Sequence, residues 1–146
     1  MFISKTPVRI SFFGGGTDFE HYYSKYDSLV LGTTINKYIY ISLSETFPTK
    51  KHNYSFAFKD LNKVKKISDI EHPCVKALYS RYNVPKNIQL SYNSNIIARS
   101  GLGTSSAFTV GLLNCILSLR NKKHKISKKF LSDEAYFIEK SILKEN

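Results

Sequence analysis

The stretch that most constrains this chain is Ala98-Arg99-Ser100-Gly101-Leu102-Gly103-Thr104-Ser105-Ser106-Ala107, followed by an apolar run from Phe108 to Leu119. Two glycines one residue apart permit a tight turn at positive φ, and small hydroxyl residues favour helix starts. The turn is therefore expected to open a helix. The first N–H groups of such a helix lack intrahelical partners and sit at the positive end of its dipole, so the loop is a ready phosphate cradle. Hydroxyls at Thr104, Ser105 and Ser106 can add phosphate or metal-ion contacts. The same pattern also fits a turn that caps a buried helix and binds nothing. It departs from two familiar phosphate patterns: no Lys precedes the Ser/Thr as in a Walker A loop, and Ser106 stands where G-x-G-x-x-G needs Gly.

Upstream, Phe2 to Phe13 reads as a strand in which Val8, Ile10 and Phe12 alternate with Arg9, Ser11 and Phe13. Gly14-Gly15-Gly16 breaks it and can present Thr17 and Asp18 to a ligand at close backbone approach. Asp18 is equally placed to cap a short helix over Phe19 to Tyr23. Leu29 to Ser44 alternates in the β manner, with Asn36-Lys37 as the expected turn of a hairpin or meander. Tyr38 and Tyr40 on one face read as sheet packing rather than a base-stacking surface. Tyr54, Phe56 and Phe58 predict a further strand, Asp60 to Glu71 a surface connection, and His52 an exposed side chain. His72 to Tyr82 predicts a helix with Pro73 in its first turn, ended by Asn83-Val84-Pro85. Ile88, Leu90 and Tyr92 form the strand that delivers the chain to the glycine loop. Ser127 is the expected cap of a last helix whose stripe is Leu131, Ala135, Ile138 and Ile142, with Glu139 at its edge.

With these residues in view, the chain resembles the superfamily of galactokinase, homoserine kinase, mevalonate kinase and phosphomevalonate kinase, the GHMP kinases. Ser100 to Ala107 resembles its P-x-x-x-G-L-G-S-S-A motif, with Ile97 where Pro is usual and Thr104 for the first Ser. Pro7 to Asp18 resembles its first motif, in the G-G-G-T-D form of D-glycero-D-manno-heptose 7-phosphate kinases. The resemblance implies an α+β fold of the ribosomal protein S5 domain 2-like type, a sheet packed with helices, with residues 1–146 as an N-terminal ATP-binding domain. It implies phosphoryl transfer from ATP, with Mg²⁺, to the anomeric hydroxyl of a sugar phosphate. It carries nucleotide-phosphate contacts to Arg99, Ser100, Gly101, Leu102, Gly103, Thr104, Ser105 and Ser106, and Mg²⁺ contacts to Ser105 and Glu139. Sugar binding falls to Gly15, Gly16, Thr17 and Asp18, and Arg9 lies in the reaction centre. In the family a G-x-Q-D-type stretch with the catalytic Asp and a second, C-terminal domain follow. The expectation is therefore an incomplete or split kinase, weakly active or inactive alone, with a separate C-terminal half as a candidate partner. A fucokinase- or galactokinase-type sugar kinase is the alternative within the superfamily.

Composition sets the remaining bounds. A chain of 146 residues with 42% hydrophobic and 14% aromatic content can bury one core. No run approaches the roughly 18 apolar residues of a membrane span and no signal peptide is legible, so a cytoplasmic location is expected. Cys74 and Cys115 fall in no metal-ligand spacing and read as reduced core thiols. The formal charge of +11 invites a non-enzymatic nucleic-acid-binding reading. Yet the basic residues lie in short scattered clusters (Lys50-Lys51, Lys63 with Lys65-Lys66, and 122–125 leading to Lys128-Lys129), which favours a solvated surface.

Overall fold

The computed structural model describes residues 1–97, 100–121 and 126–144. Strands β1 (Phe2–Phe13) and β2 (Leu31–Glu45) flank a short helix, α1 (Glu20–Tyr23). Next come β3 (Tyr54–Ala57), β4 (Leu61–Val64), a 3₁₀ turn (Ile67–Asp69), α2 (Pro73–Arg81) and β5 (Ile88–Ser94). The chain continues through α3 (Thr104–Arg120) and α4 (Lys128–Phe137), which runs into a π-helical turn (Ile138–Ile142). The strands make one sheet in the order β1-β2-β5-β3-β4, antiparallel except where β3 lies parallel to β5. That parallel pair needs a crossover connection, and α2 supplies it. The architecture is α+β.

The core lies between the sheet and the helices. Ile39, Ile41 and Leu43 of β2, Ile88 and Leu90 of β5, and Tyr54 and Phe56 of β3 meet Val75, Leu78 and Tyr79 of α2 and Leu112, Leu113 and Ile116 of α3. Each buried aliphatic or aromatic side chain contributes about 1.5–3 kcal/mol. Helix α3 lies directly on β1 and β2: a Cβ at Gly111 would sit 2.8 Å from Thr6 Oγ1. Arg81 Nε and Tyr82 OH both donate to Glu134 Oε1, at 2.5 and 2.8 Å, tying α2 to α4. Both cysteines are buried and outside any disulfide, and burial pushes the Cys115 thiol up to about 12.

Several expectations are corrected. Leu31 to Glu45 is one continuous strand with no turn at Asn36-Lys37; residues 35–37 instead bulge opposite Val8 between the pairs Pro7–Tyr38 and Arg9–Thr34. An extra stretch of backbone can be absorbed by a bulge as well as by a reversal, and polar composition alone does not choose between them. Because β5 pairs with β2 only from Ile39 onward, Arg9–Phe13 and Leu31–Thr34 form a two-stranded arm beyond the sheet. The alternation in β1 therefore buries Val8 but leaves Phe12 and Phe13 at 59% and 72% exposure. The connection after Asp60 contains β4, an edge strand whose residues are mostly exposed. Asp18 does not cap α1; Phe19 holds that position, with no side-chain cap. His52 is half-buried beside Thr49, whose hydroxyl lies 3.3 Å from its Nδ1. Ser127 does cap α4, accepting from Phe130 N. The apolar stripe ends early because the π-helical turn stacks residues five apart: Leu143 N donates to Ile138 O, and Leu143 packs on the core while Ile142 is exposed. Among the described residues no helix is long and apolar enough to cross a membrane.

Candidate functional site

The glycine loop and β1 are stitched together by Arg9. Its backbone N–H donates to Leu102 O at 3.0 Å and its guanidinium Nη1 donates to Gly101 O at 2.7 Å. Gly101 and Gly103 both adopt the left-handed conformation, at φ +74° and +70°. Gly103 is the N-cap of α3 and provides no side-chain cap, so no side chain of its own closes the amide end of this 17-residue helix. The expected helix thus begins where the loop predicts, with a glycine rather than a hydroxyl residue at the cap. Ser100 to Ser106 all lie in this segment, whereas Arg99 falls outside the described residues.

The second glycine turn closes on itself. A Cβ at Gly14 would fall 1.9 Å from Leu29 O, so this approach admits only glycine. Thr17 donates its N–H and its hydroxyl to Gly14 O, at 3.0 and 2.8 Å, and its hydroxyl accepts from Ser28. Asp18 Oδ1 accepts from Gly16 N at 3.1 Å. Asp18 then faces a cleft of about 930 Å³ that it shares with Arg9, Ser106 and Glu139. Gly15, Gly16 and Thr17 hold the turn and do not line this cleft.

Glu139 enters the cleft from the first turn of the π-helical segment, where the wider winding displaces side chains from the regular helical positions. Its Oε2 accepts from Ser106 Oγ at 2.9 Å, while Oε1 is buried without a partner. The structure bonds Glu139 to Ser106, and Ser105, one position earlier, accepts from Thr109 Oγ1 at its carbonyl. A buried carboxylate oxygen without a donor is the kind of atom a cation can satisfy, although no group of three or more His, Cys, Asp or Glu gathers around one point among the described residues.

Three contacts here escape sequence reasoning. Lys140 Nζ donates to Glu20 Oε2 at 2.8 Å and to Tyr23 OH at 2.6 Å, joining the last helical segment to α1 across the cleft mouth. Those hydrogen bonds, Glu20's first, raise the lysine above its ordinary range, and the same bond lowers the Glu20 carboxyl. Glu20 and Lys140 are 120 positions apart in the chain, and no local pattern relates them. Beside the start of α3 lies a second cavity of about 450 Å³, walled by Phe56, Phe58, Val64 and His72. The His72 ring stacks at 5.0 Å on Phe108, in the second turn of α3.

Residues 62–146, which take in the glycine loop and Glu139, match the family described as the GHMP kinases N terminal domain. The chain belongs to the GHMP kinase family. A D-glycero-alpha-D-manno-heptose 7-phosphate kinase of Campylobacter jejuni is 30% identical over 130 residues, spanning 81% of this chain and 38% of that protein. The crystal structure of a D-glycero-D-manno-heptose 1-phosphate kinase from Bacteriodes thetaiotaomicron superposes with a TM-score of 0.81 at 28% identity, over 99% of this chain and 49% of that one. Mevalonate kinase of Methanococcus jannaschii shares the fold, with a TM-score of 0.72 at 20% identity over 97% of this chain and 46% of its own. This GHMP kinase chain thus spans half or less of the length of these relatives.

Proposed function

We propose that these residues form the nucleotide- and sugar-binding half of an ATP-dependent sugar kinase whose acceptor is D-glycero-D-manno-heptose 7-phosphate, phosphorylated at its anomeric hydroxyl. The observation that carries this reading is the convergence of Ser106, in the first turn of α3, with Arg9, Asp18 and Glu139 on one cleft. The two heptose phosphate kinases among the relatives support the choice of sugar.

In this reading the loop amides and the hydroxyls from Ser100 to Ser106 hold the β- and γ-phosphates, with Arg99 beside them. Arg9 fixes the loop through Gly101 O, and its remaining N–H groups lend positive charge to the transferring group. Glu139, Ser105 and Ser106 would hold Mg²⁺, which supplies charge neutralisation at the phosphates when bound. Asp18 accepts a sugar hydroxyl, and the turn of Gly15, Gly16 and Thr17 presents it. The bond from the γ-phosphorus to the oxygen of ADP breaks as the bond to the anomeric oxygen forms, and the hydroxyl proton leaves to a base. We assign that base, and closure of the cleft, to a C-terminal half corresponding to the length of the relatives that this chain does not span. The exposed apolar arm carrying Phe12, Phe13 and Leu31 is a surface such a half would cover.

The test has two measurements on the 146-residue chain. Calorimetric titration with Mg²⁺ and a non-hydrolysable ATP analogue is expected to show one site. Turnover with MgATP and the heptose 7-phosphate, beside fucose and galactose, is expected to fall at least about tenfold below a two-domain relative, since loss of a base alone typically costs 10² to 10⁴. Absence of nucleotide binding overturns the kinase reading. Turnover equal to the relative's overturns the need for a second half, and preference for fucose or galactose overturns the choice of sugar.

A further inference from the structure

One wall of the cleft carries positive charge that the nucleotide end does not use. Lys140 and Lys144 project into it from the π-helical turn and its exit, with His21 of α1 nearby. The acidic groups facing the same space are Asp18, Glu20 and Glu139. Glu20 is the one that pairs directly with Lys140, while Asp18 and Glu139 keep their charge, since their partners Gly16 N and Ser106 Oγ are neutral donors.

The ion pair has an unequal character. The Lys140 side chain is 34% exposed and is fixed from three sides, by Glu20 Oε2, by Tyr23 OH and by the Tyr136 ring 5.8 Å away. The Glu20 side chain is 69% exposed. An exposed carboxylate can leave for water at little cost, whereas the ammonium stays where its aromatic neighbours hold it. Such an arrangement stores a cation behind an exchangeable counter-ion. A phosphomonoester carries more charge than a carboxylate and offers three acceptor oxygens, so it competes well for that place. A neutral sugar gains nothing from it.

We propose that Lys140, with Lys144 and His21 lining the same cleft, binds the phosphate already present on the sugar acceptor, and that Glu20 is the counter-ion this phosphate displaces. The site would make the cleft selective for phosphorylated over free sugars. This inference rests on the kinase reading above.

Neutralising Glu20 and Lys140 separately gives the discriminating experiment. The full chain and its Lys140→Ala, Lys140→Arg and Glu20→Gln variants, each checked for folding by circular dichroism, are titrated calorimetrically with D-glycero-D-manno-heptose 7-phosphate, with the unphosphorylated heptose and with the Mg²⁺–ATP analogue. The parent chain is expected to prefer the phosphorylated sugar by about tenfold or more, the scale of one charge-assisted contact. Lys140→Ala should abolish that preference with free-heptose affinity unchanged, and Lys140→Arg should keep most of it. Glu20→Gln should tighten the sugar phosphate by roughly threefold or more, because its competitor is gone. If Lys140 and Glu20 form only a structural clasp, both substitutions weaken the two sugars alike, and the proposal fails. It fails too if the ATP analogue binds while the phosphorylated sugar is bound no better than the free one, which leaves the kinase reading standing. No binding of the ATP analogue removes both.

Discussion

Replacing Gly103 with Val should separate the loop's binding role from its role in the fold. At φ +70° an L-residue is strained by about 1–2 kcal/mol, and a β-branched one by more. A Cβ there would stand 3.3 Å from Arg9 Nε and 3.4 Å from Cγ and Cζ, so the Arg9 side chain has to give by a few tenths of an ångström, and the two further methyls of Val are expected to cost it the bond to Gly101 O. Losing that exposed, charge-assisted hydrogen bond adds about 1–2 kcal/mol. Together these raise the cost of the binding-competent loop by about 2–4 kcal/mol, or between thirtyfold and several hundredfold in nucleotide affinity. Global stability should fall less, because the loop can relax without disturbing Leu112, Leu113 and Ile116 beneath it. A loss of about 1–2 kcal/mol lowers Tm by roughly 3–10 °C in a domain of this size. Gly101→Ala is the control for stability: it carries a similar backbone penalty at φ +74°, but its Cβ meets nothing within 4 Å, so its Tm should drop less. Titration with the Mg²⁺–ATP analogue and thermal melts of both variants provide the readout. An unchanged nucleotide affinity in folded Gly103→Val would falsify the cradle.

Asp18→Asn should weaken heptose 7-phosphate binding by about tenfold or more while sparing the ATP analogue, since the amide still accepts from Gly16 N but has lost its charge toward sugar hydroxyls; equal calorimetric losses for both ligands would refute this. Tyr79→Phe should leave stability unchanged or raise it by up to about 1 kcal/mol in urea melts, because the wild-type hydroxyl is buried without a partner; a clear loss would mean that the hydroxyl is bonded. Glu134→Gln should cost about 1 kcal/mol at pH 7, discounted because Arg81 is 41% exposed. Burial opposes the Glu134 charge, but the Arg81 and Tyr82 hydrogen bonds outweigh it and hold the carboxyl below its ordinary value of 4.5. A depressed carboxyl stabilises the fold above that value and loses its contribution as pH falls through the lowered one, so urea melts of parent and variant should converge in acid once that carboxyl is protonated. A gap that persists or widens in acid would show the reasoning to be wrong.

What the sequence by itself determined is local. Gly101 and Gly103 permit positive φ at no steric cost, and the apolar run after them favours burial, so the strand, turn and helix around the loop were legible from residue chemistry. The same holds for Pro73 at the start of α2 and Ser127 at the cap of α4, where a neighbour's missing or unsatisfied N–H decides the matter. The α+β class and the family followed from two motifs read together, whereas the meeting of Arg9, Asp18 and Glu139 on one cleft is visible only in the folded chain.

Pairing partners were decided by the tertiary structure. Whether Asn36-Lys37 turns the chain or bulges from it depends on how far β1 lies alongside β2, and whether Asn62 and Val64 join a strand depends on β3 being there to receive them. The π-helical turn that exchanges Ile142 for Leu143 in the core is set by the packing of that segment against α2, not by its 3.6-residue pattern. Ser106 meets Glu139, and Glu20 meets Lys140, because hydrogen bonds and ion pairs act over about 3 Å in space regardless of separation along the chain. Sequence periodicity specifies which face a side chain occupies; only the folded arrangement specifies what that face meets.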